Sequence, residues 1–412
     1  MRAPLSSYQR RLIVLLAAAT FFEGFDFFAL AQILPQLRAD LRLDEQTGGA
    51  LVAFANGGAV LSYALVQLAG RIGRRRALTL TILGYTVSSV LSGLAPNVWV
   101  FAVAQLAARF FLLGEWAIAM IYAAEEFPAD RRATVMGTIQ AFSSLGAILC
   151  AGLVPVLLRS PLGWRSVFFV GAVPLLLVAV ARRNLRETAR FEALEIARNA
   201  PGAAKRAITL TRIWRTPYRS RMLLLAALWL LTYIGTQSAI TFWKEFALAE
   251  RHMTDAQVGT SLTIAAVGSL PLIFTVGKLL DRLGRRLGAA LIFVSAGAGI
   301  ALAYTLHGQW PLTAALIFAL FGVTAVLPVL NSYTTELFPT ELRSDAYVWS
   351  NNLLGRFGYV LSPLLVGMLA QRTSWSLAVS STASALVLAL ALILTRFPET
   401  RGRELEETSA LH

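Results

Sequence analysis

AGRIGRRRA, residues 69–77, returns as LDRLGRRLG at residues 280–288, and YAAEEFPADRRA, residues 122–133, returns as YTTELFPTELRS at residues 333–344. Both pairs are offset by 211 positions, so the chain holds two copies of one unit. The setting of these basic clusters is apolar: of 412 residues, 56% are hydrophobic and only 15% charged. With a mean hydropathy of +0.62, the chain reads as a polytopic membrane protein rather than a soluble enzyme.

A helix needs about 20 apolar residues to cross the hydrocarbon core. Twelve segments qualify, near 12–36, 47–69, 77–94, 98–124, 133–158, 164–181, 222–247, 257–280, 287–306, 310–335, 344–371 and 375–395. The first is too long for a signal-peptide core and no small-residue cleavage site follows, so it reads as a retained span. The expected fold class is therefore all-α integral membrane, with twelve transmembrane helices as two six-helix repeats. Six spans return the chain to its starting side, which relates the repeats in parallel about an axis along the membrane normal. The expected organisation is a bundle at 1–181, a basic linker at 182–221, a second bundle at 222–396 and a tail at 397–412.

Charge sets the orientation. With both termini cytoplasmic, the inner segments hold 27 of the 37 Lys and Arg. The outer loops then hold six, namely Arg38, Arg42, Arg159, Arg165, Arg251 and Arg372. That is the positive-inside pattern of a plasma or inner membrane protein. The net charge of +14 lies in clusters between spans instead of on one periodic face, which argues for topology and against nucleic acid as a partner. A single cysteine, Cys150, excludes a disulfide framework and a cysteine metal site. His252, His307 and His412 have no ligand-like spacing, and there is no phosphate-binding loop or nucleophile constellation. No metal, no cofactor and no enzymatic activity are expected.

The loops resemble those of the major facilitator superfamily. GKLLDRLGRR at 277–286 is similar to the signature between the second and third helices of each half. ETARF at 187–191 and FPETRGRELEE at 397–407 resemble the marks after the sixth and twelfth helices, and E-x-F-P-x-x-x-R stands at 125–132 and 336–343. FEGFDFFALAQILPQL at 22–37, GEWAIAMIYAAEEFP at 114–128 and GRFGYVLSPLLVG at 355–367 are similar to segments of the aromatic acid:H+ and metabolite:H+ symporters. The chain departs from the pattern at Gly70, where the loop usually has Asp, and at Val66, where it usually has Gly. The resemblance implies a secondary transporter that works by alternating access, commonly as a monomer, with a small molecule, protons and the lipid bilayer as partners. Proton-driven export of drugs or metabolites, or sugar transport, is the alternative that the same motifs leave open.

In that fold the loop charges form a cytoplasmic gate: Arg71, Arg74, Arg132, Asp281, Arg282, Arg285, Glu336 and Arg343. Gly70 cannot place a carboxylate at a helix amino end. Asp281 can, near Ala133 with Arg132 and Arg282 as neighbours, so the gate is expected to be asymmetric.

The charges inside the spans carry the chemistry. At 1.5 Å per residue, Glu23 and Asp26 lie about 16 and 21 Å into the first helix, on one face. Arg109 lies about 15 Å from the outer end of span four, and the resemblance allows it to meet Asp26. Such a pair reads either as a static ion pair that pins two helices or as a coupling site, and an intramembrane ionisable group favours the second. Desolvation favours a protonated carboxyl and a nearby Arg favours the charged form, so a pair that opens and closes takes up and releases a proton. Asp26 is expected to hold that proton with Arg109 as modulator, with Glu23 sharing it or facing water. Glu115 reads equally as a bonded structural carboxylate or a second proton station. In span eleven, Trp349, Asn352, Arg356 and Tyr359 fall on one helical stripe, and no acid of the second half lies at the depth of Arg356. A substrate carboxylate is the simplest partner for that guanidinium. A backbone carbonyl or a first-half acid is the other. Tyr233, Thr236 and Gln237 share a face of span seven, with Gln237 at the repeat position of Asp26, and Trp116 with Tyr359 is placed to flank a planar ring. Lys244 reads as a lysine snorkelling to the interface.

Overall fold

A computed structural model describes residues 6–127, 129–181, 185–188, 191–193, 196 and 212–401. The first half holds α1 (Ser7–Leu41), α2 (Glu45–Leu61), α3 (Tyr63–Ile72), α4 (Arg74–Leu94), α5 (Val98–Glu126), α6 (Ala129–Leu157) and α7 (Arg165–Ala181). After a short 3-10 turn at Ile213–Arg215 come α8 (Arg219–Thr241), α9 (Trp243–Ala249), α10 (Asp255–Leu283), α11 (Arg285–Thr305) and α12 (Gln309–Glu336). The chain ends in α13 (Thr340–Tyr347), a π-helical segment (Val348–Gly355), α14 (Arg356–Arg372), α15 (Trp375–Ser380) and α16 (Ala383–Arg396). Polar caps start several of these: Asn97 accepts from the Val100 amide at 3.0 Å, and Thr254 with Gln257 forms a capping box at α10. Among the described residues eleven helical spans are long and apolar enough to cross a membrane, and α7 is a shorter apolar helix in the place of the sixth span. The twelve-helix architecture expected from the sequence is thus present.

Helices in lipid gain little from burying apolar surface, so close backbone approach has to hold them. Glycines make it possible. In the first of two compact units, residues 1–37 and 54–207, a Cβ on Gly24 would fall on the Ser143 carbonyl and one on Gly146 on the Phe21 carbonyl, which locks α1 against α6. In the second, residues 38–53 and 208–412, Gly358 meets the Leu230 backbone in the same way. There Arg38 donates to Glu245 at 2.9 Å and to Glu45 at 2.8 Å. Lys244 does not snorkel: it is 1% exposed, with its ammonium 2.7 Å from Asp255. The hydropathy pattern could not show that the first acid of α10 lies within its reach.

The repeat is visible atom by atom in two cradles. In the first unit Arg74 donates to Glu125 at 2.9 Å and to the Ala69 carbonyl at 3.3 Å, while Glu187 accepts from the backbone amides of Arg74 and Arg75. In the second, Arg285 donates to Glu336 at 2.9 Å and to the Leu280 carbonyl at 3.1 Å, while Glu399 accepts from the amides of Arg285 and Arg286. Thr188 and Thr400 close each cradle by donating to Glu125 and Glu336. Gly73 and Gly284 turn the chain at φ of 97° and 89°, with the Glu187 and Glu399 carboxylates where a Cβ would stand. Of the other loop residues, Arg71 and Arg282 are exposed, Asp281 lies 3.1 Å from Arg285, and Arg343 donates to the Phe338 carbonyl at 3.4 Å. The Arg132 side chain lies outside the described residues.

Burial raises the proton affinity of Glu399, but the backbone amides of Arg286, Arg285, Arg401 and Thr400 outweigh it and hold its carboxyl below the ordinary range. A depressed carboxyl stabilises the fold above its unfolded pKa of about 4.3, and that contribution is lost as pH falls through the lower folded value. Glu399→Gln should therefore lower the melting temperature in detergent at pH 7, by on the order of 1 kcal/mol for a partly solvated group. The gap from wild type should close below about pH 4; an equal gap at both pH values counts against the cradle. Gly146→Val should cost more than about 1–3 kcal/mol, because backbone and not a side chain stands in the way. Gly152→Ala, with nothing within 4 Å, should be neutral or better in the same melting assay.

Candidate functional site

The first unit places Asp26 on α1, Tyr85 on α4 and Arg109 on α5 around one small cavity of about 10 Å³, room for roughly one water. Ser89, Gln105 and Phe168 complete much of its wall. The Tyr85 hydroxyl donates to Asp26 Oδ2, and Asp26 Oδ1 has no hydrogen-bond partner among the described residues. Arg109, 7% exposed, donates from Nη2 to the Phe27 carbonyl at 3.2 Å and lies 4.2 Å over the Phe27 ring. Its Nη1 has no hydrogen-bond partner among the described residues. A Cβ on Gly171 would come within 2.5 Å of Asp26 Oδ1, so the bare glycine on α7 makes space for the carboxylate. Gln105 is held in turn by Ser92, to which its amide donates at 2.9 Å.

Asp26 and Arg109 are thus brought to one cavity, as their matching depths together with the family resemblance allowed. Tyr85 was not legible in advance, because a tyrosine in an apolar span carries no sign of the partner its hydroxyl finds on another helix. Glu23 is buried on α1 outside the described lining of this cavity. Glu115 is 1% exposed and accepts from the Thr81 hydroxyl. Trp116 donates its ring nitrogen to Gln140 at 2.8 Å.

The second unit builds a different site. Arg356 opens α14 directly after the π segment, its guanidinium 5.6 Å from the centre of the Tyr233 ring and 5.5 Å from that of Tyr359. The two rings meet edge to face at 5.6 Å, and cation–π contact holds the charge between them. Arg356 Nε is buried without a hydrogen-bond partner among the described residues. The Tyr233 hydroxyl donates to Asn351 Oδ1 at 2.8 Å, and Gln237 stands one helical turn further along α8, half-buried.

An α-helical stripe through span eleven does not fit the π segment. There the Arg356 amide bonds to the Asn351 carbonyl, five residues back, so faces shift relative to a 3.6-residue turn. Asn351 rather than Asn352 meets Tyr233, Asn352 being half-buried beside it, and Trp349 packs edge-on against Trp214 at 5.0 Å. π segments of this kind recur at functional sites because they re-aim side chains.

The profile of the Major Facilitator Superfamily matches residues 16–248 and 230–410. The chain is 28% identical to a probable 4-methylmuconolactone transporter of Cupriavidus pinatubonensis, over 93% of this chain and 89% of that protein. It is 26% identical to the cis,cis-muconate transport protein of Acinetobacter baylyi, over 90% of each. Among solved structures it superposes on the nucleoside transporter NupG with a TM-score of 0.77, covering 94% of this chain and 100% of that one at 15% identity, a likeness of fold alone. Matched along nearly its whole length by the family profile, and carrying eleven membrane-length helices and one shorter apolar helix among the described residues, the chain belongs to the Major Facilitator Superfamily as a multi-pass membrane transporter.

Proposed function

We propose that the chain is a proton-coupled symporter of small unsaturated or aromatic carboxylate anions. The observation that carries this reading is Arg356, a guanidinium between two tyrosine rings with Nε left without a hydrogen-bond partner. A carboxylate suits the open edge of that fork, and a flat conjugated body suits the tyrosine rings beside it. Muconate, for which one relative is named, is a conjugated carboxylate of this kind. In the first unit, Asp26 with one free oxygen and Arg109 with one free nitrogen supply the proton-binding group and its modulator.

In this reading the repeats at 1–181 and 222–396 alternate access around the substrate, in a monomer with both termini in the cytoplasm, and the loop cradles stay intact within their own halves. Protonation of Asp26 removes one charge from its cavity, and the Tyr85 hydroxyl, which both donates and accepts, serves either state of the carboxyl. That is a coupling site whose two states differ by one proton at one atom.

Uptake into proteoliposomes under an imposed pH gradient tests both halves of the proposal. Asp26→Asn should hold the internal concentration at or below the external one while counterflow exchange persists, and uphill transport by that variant would sink the coupling assignment. Tyr85→Phe should move the pH profile of uptake. Arg356→Gln should weaken a muconate or benzoate by about 10- to 100-fold, the loss of a charge-assisted hydrogen bond of about 1.5–3 kcal/mol. Equal weakening of an uncharged analogue such as the amide would show that Arg356 holds the fold instead of the anion.

A further inference from the structure

The boundary between the two compact units does not follow the repeat. Residues 38–53, the last turn of α1 and the first half of α2, belong by sequence to the first copy yet pack in the second unit. They are seated there on α9 and α14. Arg38 donates to Glu245 at 2.9 Å and Gln371 donates to Asp44 at 3.0 Å. Between these bonds the backbones meet at two glycines: a Cβ on Gly49 would fall on the Pro363 carbonyl, and one on Gly367 would lie 2.8 Å from the Glu45 carbonyl. Tyr233 and Arg356 stand on the same two spans. Gly367 follows Arg356 on α14 by 11 residues, about 17 Å along the helix axis. The hairpin thus sits at the far end of the spans that build the Arg356 site.

Both arms of the hairpin are weak where they lead into it. Pro35, three residues before Arg38, has no amide to give the Ala31 carbonyl, which leaves α1 free to bend there. On α2, Gly57 weakens the helix although nothing crowds it, since a Cβ there would meet a single side-chain atom at 3.9 Å. The charges also suit a contact that parts. Arg38 is shared, with Nη1 on Glu245 and Nη2 on Glu45 at 2.8 Å. Glu45 lies on the hairpin itself, so on parting Arg38 keeps one carboxylate and no guanidinium is left bare. The seat is built once: at the offset of 211 residues Gly49 becomes Thr260 and Gly367 becomes Val156, both exposed, and Arg38 becomes Ala249.

We propose that residues 38–53 are a lid over the outer end of the Arg356 site, bending at Pro35 and Gly57 and latched shut by Arg38 on Glu245. The lid rests on the alternating-access reading and its orientation, and not on the identity of the substrate or of the coupling ion.

Spin labels on Gln46→Cys in the lid and Arg372→Cys at the end of α14, both exposed positions, read the seat by double electron–electron resonance in lipid nanodiscs, with the buried Cys150 replaced by Ala. The labelled protein should show a short distance and a minor longer one. Glu245→Gln should raise the longer population about tenfold over the short one, the loss of one charge-assisted hydrogen bond. Glu45→Gln should shift it less, because that carboxylate travels with Arg38. Pro35→Ala should lower it, because the restored bond stiffens α1. Gly49→Ala opens the seat by crowding and leaves every charge in place, so it covers a Glu245→Gln chain that does not fold. A folded Glu245→Gln protein with the unaltered distribution would overturn the latch, as would equal shifts from Glu45→Gln and Glu245→Gln. A lid that opens as expected in a protein whose uptake ignores Arg356→Gln would refute the anion site and leave the lid standing.

Discussion

A guanidinium inside a membrane has to be answered by other atoms, and this chain has two to answer, Arg109 and Arg356. In the hydrocarbon region no water is at hand, so each polar atom is satisfied by protein or left ready for a ligand. Arg109 is answered by a carbonyl, an aromatic ring and an acid across a cavity the size of one water. Among the described residues Arg356 is met by two tyrosine rings, and rings neutralise a charge less well than a carboxylate does. The two guanidiniums are therefore met differently, one by a carbonyl, a ring and a nearby acid, the other by rings, and the proposed roles of modulator and anion site rest on that difference.

The large features were legible because they are written in periodicity. Twelve apolar runs, the offset of 211 and the acid–arginine pair at matching depth can all be found by counting along the chain. Partners on other helices cannot be counted in this way. Tyr85 reaches Asp26 across two helices, Asp255 reaches Lys244 across a loop, and Arg38 joins two glutamates 200 residues apart from each other. Each partner residue is unremarkable where it stands in the sequence. The π segment defeats counting for another reason. Periodicity assumes a constant turn, and one stretch of 348–355 bonded five residues back is enough to exchange Asn352 for Asn351 at the tyrosine.

The repeat also sorts the charges of the two halves. Gly73, Arg74 and Glu125 have their counterparts in Gly284, Arg285 and Glu336, and the cradles they build agree bond for bond. Positions inside the membrane show the reverse. Asp26 faces Gln237 in the repeat, Tyr85 faces Ala296, Arg109 faces Leu320 and Arg356 faces Leu145. The charges without a counterpart are of two kinds. Lys244 and Glu245, at the repeat positions of Ile33 and Leu34, are held in ion pairs with Asp255 and Arg38, whereas Asp26 and Arg109 line a cavity and Arg356 lies against two tyrosine rings, so symmetry alone does not separate packing from other roles and the geometry around each charge has to be read as well.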